Sequence, residues 1–286
     1  MTNRLLLLAA ALLFSTGGAA IKATSLTSWQ VAAFRSLIAA LALLILLPSA
    51  RRGWSWRALP VGAAYAATMI CFVLSNKLTT AANSIFLQCT APLYLLLAGP
   101  WLLREPIRRR DILLIAIVAS GMALFFLGSD RAVSTAPDPA RGNLIAAASG
   151  ITWALTIAGL RWWARDSGDS SASLAPIVIG NLLALAVCLP SALPVARSTP
   201  ADWATLLYLG IFQIGLAYLC MTAGMRTVPA FEASTLMLVE PALNPFWTWL
   251  VHGERPSLPA ICGGALILSA SLIDTWWRSR TAPRSA

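Results

Sequence analysis

Long apolar runs and short polar breaks alternate along the whole chain. The runs fall at about 4–22, 28–48, 58–76, 80–103, 112–128, 142–163, 173–190, 203–224, 230–250 and 258–277, ten in all. Each is close to the roughly 20 residues that an α-helix needs to cross the hydrocarbon of a bilayer. The pattern predicts an all-α integral membrane protein of ten transmembrane helices. The polar breaks leave no room for a soluble domain.

The runs repeat. Residues 71–105 match residues 220–254 without a gap at an offset of 149, pairing Cys71/Cys220, Lys77/Arg226, Ala81/Ala230, Leu87/Leu236, Pro92/Pro241 and Glu105/Glu254. The first run aligns with the sixth at an offset of 139, pairing Phe14/Trp153, Ala19/Ala158 and Lys22/Arg161. A repeat of fixed period constrains the fold more than any local motif. Each copy holds five spans, and an odd number makes the second copy enter the membrane from the opposite face. The expected architecture is two inverted five-helix repeats around a central cavity. The first repeat covers 1–128, a linker covers 129–141, the second repeat covers 142–277, and a tail follows at 278–286. The Ser, Asp and Pro content of the linker reads as a solvent-exposed connection. The first run follows Arg4 as a signal peptide would, but removing it would leave the sixth run without its mate, so it is read as a span.

Composition agrees with this pattern: 58% of residues are hydrophobic and only 11% are charged, far from soluble averages. The net charge of +10 bears on orientation rather than nucleic acid, because the basic residues sit in short loops. With the N-terminus inside, fourteen of the Lys and Arg residues fall on the inner side and six on the outer, and Arg35 is left inside the second span. By the positive-inside rule both termini are expected in the cytoplasm, in a bacterial-type inner membrane. The five cysteines lie within apolar runs, without Cys-x-x-Cys spacing, and read as packing residues. Most tryptophans, Trp163 among them, cluster at span ends as an interfacial belt. Ala116/Ser120 and Ala265/Ser269 have the four-residue spacing of close helix contacts.

The candidate chemistry lies at mid-span. Glu240 sits in the centre of the ninth run, followed by Pro241 and Pro245. An intramembrane carboxylate either serves a pathway, by binding a cation or carrying a proton, or satisfies donors on a neighbouring helix. Its repeat mate is Ala91, so the halves are chemically unequal here. Pro92, Pro241 and Pro245 are expected to kink their helices around the cavity, with or without a part in gating. Tyr65, Asn83, Gln88, Tyr94, Trp153, Gln213, Tyr218 and Asn244 form a polar and aromatic set that a wet cavity would explain together. Interhelical hydrogen bonding would explain each amide singly. Arg35, about two turns below the outer surface, is expected to snorkel outward, with carboxylate binding as the alternative. Glu105 and Glu254 read as structural carboxylates opening the spans that follow them. The sequence has no phosphate loop of the Gly-x-x-x-x-Gly-Lys-Ser/Thr type, no His-Glu-x-x-His and no Gly-x-Ser-x-Gly.

Thr90-Ala91-Pro92 with Leu103-Arg104-Glu105, and Glu240-Pro241 with Gly253-Glu254-Arg255, resemble the paired motifs of the drug/metabolite transporter superfamily, in its ten-helix EamA-type exporter branch. The likeness spans nearly the whole chain and departs from it at Arg104-Glu105, where Gly-Glu is usual. It implies a secondary exporter of small metabolites, amino acids and aromatic ones among them, working by alternating access, with no enzyme activity and no cofactor. It also implies a pathway lined by spans three, four, eight and nine, with one and six contributing. The expected partners are a small-molecule substrate and the lipid bilayer, without nucleic acid, around a monomer. The alternatives are multidrug or cation efflux, an integral-membrane lipid-modifying enzyme, which would need a polar cluster near one interface, and a passive channel.

Overall fold

The computed structural model describes residues 2–102, 109–127, 132–167, 174–225, 228 and 230–281. They form an all-helical, multi-pass membrane protein. The helices are α1 (Thr2–Ser15), α2 (Gly17–Ala23), α3 (Ser28–Leu46), α4 (Leu59–Leu78), α5 (Ala81–Gln88), α6 (Ala91–Leu102), α7 (Arg109–Leu127), α8 (Pro139–Ser167), α9 (Ala175–Ala192), α10 (Pro200–Leu207), α11 (Ala217–Met225), α12 (Ala230–Met237), α13 (Val239–His252) and α14 (Leu258–Thr281). A π-helical segment, Tyr208–Leu216, joins α10 to α11. Among the described residues seven helical stretches are long and apolar enough to cross a membrane, and Ala81–Leu97 and Asp111–Phe126 are shorter apolar helices. The ninth run appears as the broken pair α12 and α13.

Local chemistry sets several of these boundaries. The Thr27 hydroxyl accepts from the Gln30 amide while the Gln30 side chain accepts from the Thr27 amide, a reciprocal cap that starts α3. Thr199 and Asp202 do the same for α10, with Pro200 in its first turn. The expected kinks are full breaks. One helix stops at Gln88 and the next starts at Ala91; another stops at Met237 and restarts at Val239. Pro92 and Pro241 therefore sit in the first turn of a new helix, where a missing N–H costs least. Of these three prolines, Pro245 alone lies inside a helix, α13.

The surface suits a lipid solvent. Ile45, Leu250 and Leu266 are exposed, whereas Ser75, Asn76, Asn83 and Asn143 are buried. Polar groups turn inward because hydrocarbon offers them no partner. Trp163 departs from the expected belt: it is buried against Ala58 and Ile179. Ala116, Ser120, Ala265 and Ser269 also depart from expectation, all facing outward. The close approach of α7 to α14 is made instead by Gly121 and Gly263, where a Cβ on either would lie under 3 Å from the other's carbonyl oxygen.

The main pairings are α4 with α8 and α9, α3 with α9 and the π segment, α7 with α14, α5 and α6 with α8, and α1 with α11, α12 and α13. The described part of the linker is largely exposed, as expected, but α8 already begins at Pro139 and Ala136 is buried. The Asp138 amide donates to Leu78 O, and the Lys22 ammonium to Thr135 O, docking this segment on the ends of α2 and α4.

Candidate functional site

A cavity of about 320 Å³ lies between α1, α3, α4, α8, α9, the π segment and α11, and reaches the break between α12 and α13. Its wall runs from Arg35 and Tyr65 at mid-helix to Leu174 and Met225. The latter two are at the ends of α9 and α11 that lie on the side of the chain termini. The π segment turns Gln213 and Ile214 onto the wall. Such segments are rare and are frequently found at functional sites. Nothing in the amino-acid pattern announces it.

Six of the nine residues expected at the cavity line it: Tyr65, Gln88, Trp153, Gln213, Tyr218 and Glu240. Three do not. Asn83 donates to Asn143 Oδ1 (3.1 Å) between α5 and α8. The Tyr94 hydroxyl is 3.7 Å from the Met122 sulfur on α7. Asn244 is fully buried against α2, where a Cβ on Gly18 would lie 2.6 Å from its Oδ1. For Asn83 and Tyr94 the helix–helix explanation holds; Asn244 faces α2, but neither polar atom of its amide has a hydrogen-bond partner. Of the prolines, Pro92 and Pro241 follow the breaks beside Gln88 and Glu240, and none of the three contributes to the wall. The missed wall residues are chiefly Phe14, Met69, Phe72, Ile214, Met221 and Met237. Their apolar character hid them, but most are repeat mates of other wall residues, and that relation was available in the sequence.

Arg35 corrects the snorkelling expectation. It is 1% exposed, among the largest fully buried side chains of the described residues, and it lines the cavity. One terminal nitrogen donates to the Met69 sulfur at 3.2 Å, and Nε has no partner. The neighbouring polar groups are also incompletely satisfied: the Tyr65 hydroxyl, Asn181 Oδ1 and Gln213 Oε1 lack hydrogen bonds. Tyr65 and Tyr218 meet edge to face with ring centroids 6.4 Å apart, and Phe14 packs on Tyr218 at 5.4 Å. The ion pairs found among the described residues are Arg4–Glu232 and Lys22–Glu254. Arg35 and Glu240 are thus two charges on one wall, with no salt bridge between them.

The opposite end, away from the termini, is filled by a polar cluster. Glu254 is buried, its Oε1 accepts from the Ala81 amide at 3.0 Å, and its Oε2 lies 3.6 Å from the Lys22 ammonium. Glu254 was expected to open the span after it; it caps the start of α5 instead, so the dipole argument holds for a different helix. Glu105 lies outside the described residues. Burial pushes the Glu254 carboxyl above the usual carboxylate range, and Lys22 only partly opposes this. Lys22 also donates to Thr79 O (2.8 Å), and Lys77 to Thr24 O (2.6 Å). Asp202 accepts from the amide and hydroxyl of Ser25, both at 2.7 Å. These bonds tie the ends of α2, α4, α5, α10 and α13 together over the cavity.

An all-helical membrane protein with a mid-depth cavity, polar and charged on its wall and sealed at one end, has the makings of a transporter for small molecules. The comparisons agree. The EamA-like transporter family matches the chain twice, over residues 2–127 and 140–274. The chain belongs to the EamA-like transporter family. An uncharacterized transporter of Clostridium kluyveri is 22% identical over 205 residues, 68% of this chain and 64% of that protein. The match thus spans less than two thirds of that relative's length. A crystal structure with a TM-score of 0.62 covers 98% of both chains at 20% identity, a likeness of fold.

Proposed function

We propose that this chain is a secondary exporter of small organic metabolites, amino acids with aromatic side groups foremost, working by alternating access between two inverted five-helix halves. The observation that carries the reading is the composition of the cavity wall. Tyr65 and Ile214, Met69 and Tyr218, Phe72 and Met221, and Gln88 and Met237 are each 149 residues apart, and Phe14 and Trp153 are 139 apart. All ten line the one cavity. Residues at equivalent positions of two copies meet in this way when the copies are related by a rotation whose axis passes through the cavity.

The helix pairings support the same relation. Exchange α1–α2 with α8, α3 with α9, α4 with α10–α11, α5–α6 with α12–α13, and α7 with α14. The α4–α8 contact then maps onto α11–α1, α4–α9 onto the π segment with α3, α5–α8 onto α12–α1, and α6–α8 onto α13–α1, while α3–α9 and α7–α14 map onto themselves. On this reading the ten runs are ten spans, and the basic-residue asymmetry places both termini in the cytoplasm. The cavity wall then extends toward the cytoplasm, and the Lys22–Glu254 cluster closes the outer end. A cavity sealed at one end, in a fold whose halves can exchange roles, is one of the two states that alternating access requires. Tyr65, Gln88, Trp153, Gln213, Tyr218 and Glu240 shape the substrate site. Trp153 and the tyrosines supply flat apolar surface for an aromatic side group.

The test is uptake by purified protein in liposomes across a panel of amino acids, with and without a proton gradient. Saturable uptake of aromatic amino acids supports the reading. Preferential transport of lipophilic cations that amino acids do not inhibit would assign the cavity to cation efflux, with Glu240 as its anchor.

A further inference from the structure

We propose that Arg35 is the residue that receives the carboxylate of the transported molecule; this deepens the transport reading above and rests on it. A guanidinium withdrawn from water is costly unless an anion and good hydrogen bonds meet it. Arg35 has neither. It is 1% exposed, its Nε has no partner, and the one hydrogen bond it donates goes to the sulfur of Met69. A thioether is a weak acceptor and returns little of that cost. Structural buried arginines are held by carboxylates, yet no ion pair reaches this one among the described residues. The side chain instead forms part of a cavity wall, so the missing partner is one that arrives through the cavity.

The wall also indicates the kind of anion. Arg35 and Glu240 are its charged side chains, one of each sign, and most of the remaining surface comes from residues such as Phe14, Met69, Phe72 and Trp153. A polyanion such as a sugar phosphate would meet one cation and a repelling carboxylate. A molecule with one carboxylate and an apolar body suits the site, and an ammonium group on it suits Glu240 as well. The planar fork of arginine accepts a carboxylate through two parallel hydrogen bonds, which fixes orientation as well as charge. The Tyr65 hydroxyl, which lies close to the Tyr218 hydroxyl and Asn181, is a further polar group on this wall. Arg35 thereby excludes the cationic drugs that an apolar cavity carrying Glu240 alone would admit.

The experiment is ligand titration by thermal shift on the purified full chain in detergent, with phenylalanine, 3-phenylpropionate, which lacks the amine, and phenethylamine, which lacks the carboxylate. The wild type is stabilised by the first two and not by the third. Arg35→Gln weakens binding of both carboxylates by about thirtyfold or more, the scale for losing one member of a buried charge pair. Arg35→Lys, which keeps the charge but not the fork, recovers part of that loss. Unliganded Arg35→Met melts no lower than the wild type, because the arginine it replaces has no anionic partner in the empty protein. Equal stabilisation by phenethylamine and phenylalanine overturns the proposal. So does wild-type affinity in Arg35→Gln, a marked fall in the melting point of unliganded Arg35→Met, or failure of every carboxylate to bind the wild type. The transport reading stands or falls separately, on uptake by wild-type liposomes. Carboxylate binding without uptake would leave Arg35 its role and remove the exporter.

Discussion

On the proposed orientation, replacing Glu254 by alanine should open the outer end of the cavity, and replacing it by glutamine should not. In the wild type Oε1 accepts the Ala81 amide at 3.0 Å, in a position where Ala81 is fully buried. Alanine leaves that donor without its acceptor, and a buried donor so exposed costs about 1–3 kcal/mol. Opening the end lets water satisfy it, so the whole cost falls on the closed state. The closed-to-open ratio should then drop by about five- to 150-fold, at 1.4 kcal/mol per factor of ten. Glutamine keeps an oxygen for the Ala81 amide and removes a charge whose burial costs more than Lys22 returns, as the raised pKa records. Its outer end should close at least as firmly as the wild type's. The pH dependence has the same sign. A carboxyl with a higher pKa in the closed state binds its proton more tightly there. This contribution to closure is fully present below the ordinary carboxylate value and is lost as pH rises through the raised one. Spin labels at the exposed positions 197 and 255, in the loops before α10 and α14, would report the outer end by pulsed electron resonance in nanodiscs, with the native cysteines replaced. Longer distances in the alanine variant and wild-type distances in the glutamine variant are expected. If glutamine opens the end as alanine does, the charge pair with Lys22 and not the cap on α5 holds it shut, and the reasoning is refuted.

Glu240→Gln is expected to lower liposome uptake of amino acids at least about tenfold, since intramembrane carboxylates on a pathway carry function; unchanged uptake, affinity and pH dependence would remove Glu240 from the site. Trp153→Ala should weaken binding of aromatic amino acids by about tenfold, as a lost ring contact of roughly 1 kcal/mol and the lost apolar area predict, and affect alanine little in the same titration. Gly180→Ala puts a Cβ 2.6 Å from the carbonyl oxygen of Gly62, where α4 and α9 touch. Overpacking of this kind costs about 1–3 kcal/mol and should lower the melting temperature without changing substrate preference.

Apolar runs are legible because a bilayer demands about 20 apolar residues whatever the helix touches. What the helices touch is not. Ala116 and Ser120 have the spacing of a helix contact yet face outward, while Gly121 and Gly263, one on each helix, make the contact. Spacing along one helix cannot say which face its neighbour takes. The prolines indicated weak points in the helices, but whether a helix bends or ends depends on packing, and Pro92 and Pro241 proved to begin new helices. Arg35 was misjudged for a related reason. Its depth follows from counting residues, but its direction depends on which side of α3 faces the cavity, and the low amphipathicity of a membrane helix leaves that side unmarked.

The site is better read from where the repeat fails than from where it holds. On the proposed reading, features common to both copies, such as the helix breaks before Pro92 and Pro241, belong to a scaffold that works from either side of the membrane. Chemistry present in one copy alone cannot be needed for that symmetry and has to answer to the substrate. Glu240 faces Ala91 in the repeat, Gln88 faces Met237, and Tyr65 faces Ile214, so at these three pairs one copy is polar and the other apolar. On the proposed inverted-repeat reading, a two-fold scaffold thereby encloses a cavity to which the two copies contribute unlike groups, Arg35 from the first and Glu240 from the second. A molecule with a head and a tail can sit in such a cavity in only one orientation. Swapping the chemistry across the repeat, as in Ala91→Glu combined with Glu240→Ala, should therefore abolish uptake even though it conserves charge and composition. Retained uptake in that double variant, measured in the same liposomes, would show that charge alone and not its position relative to Arg35 matters.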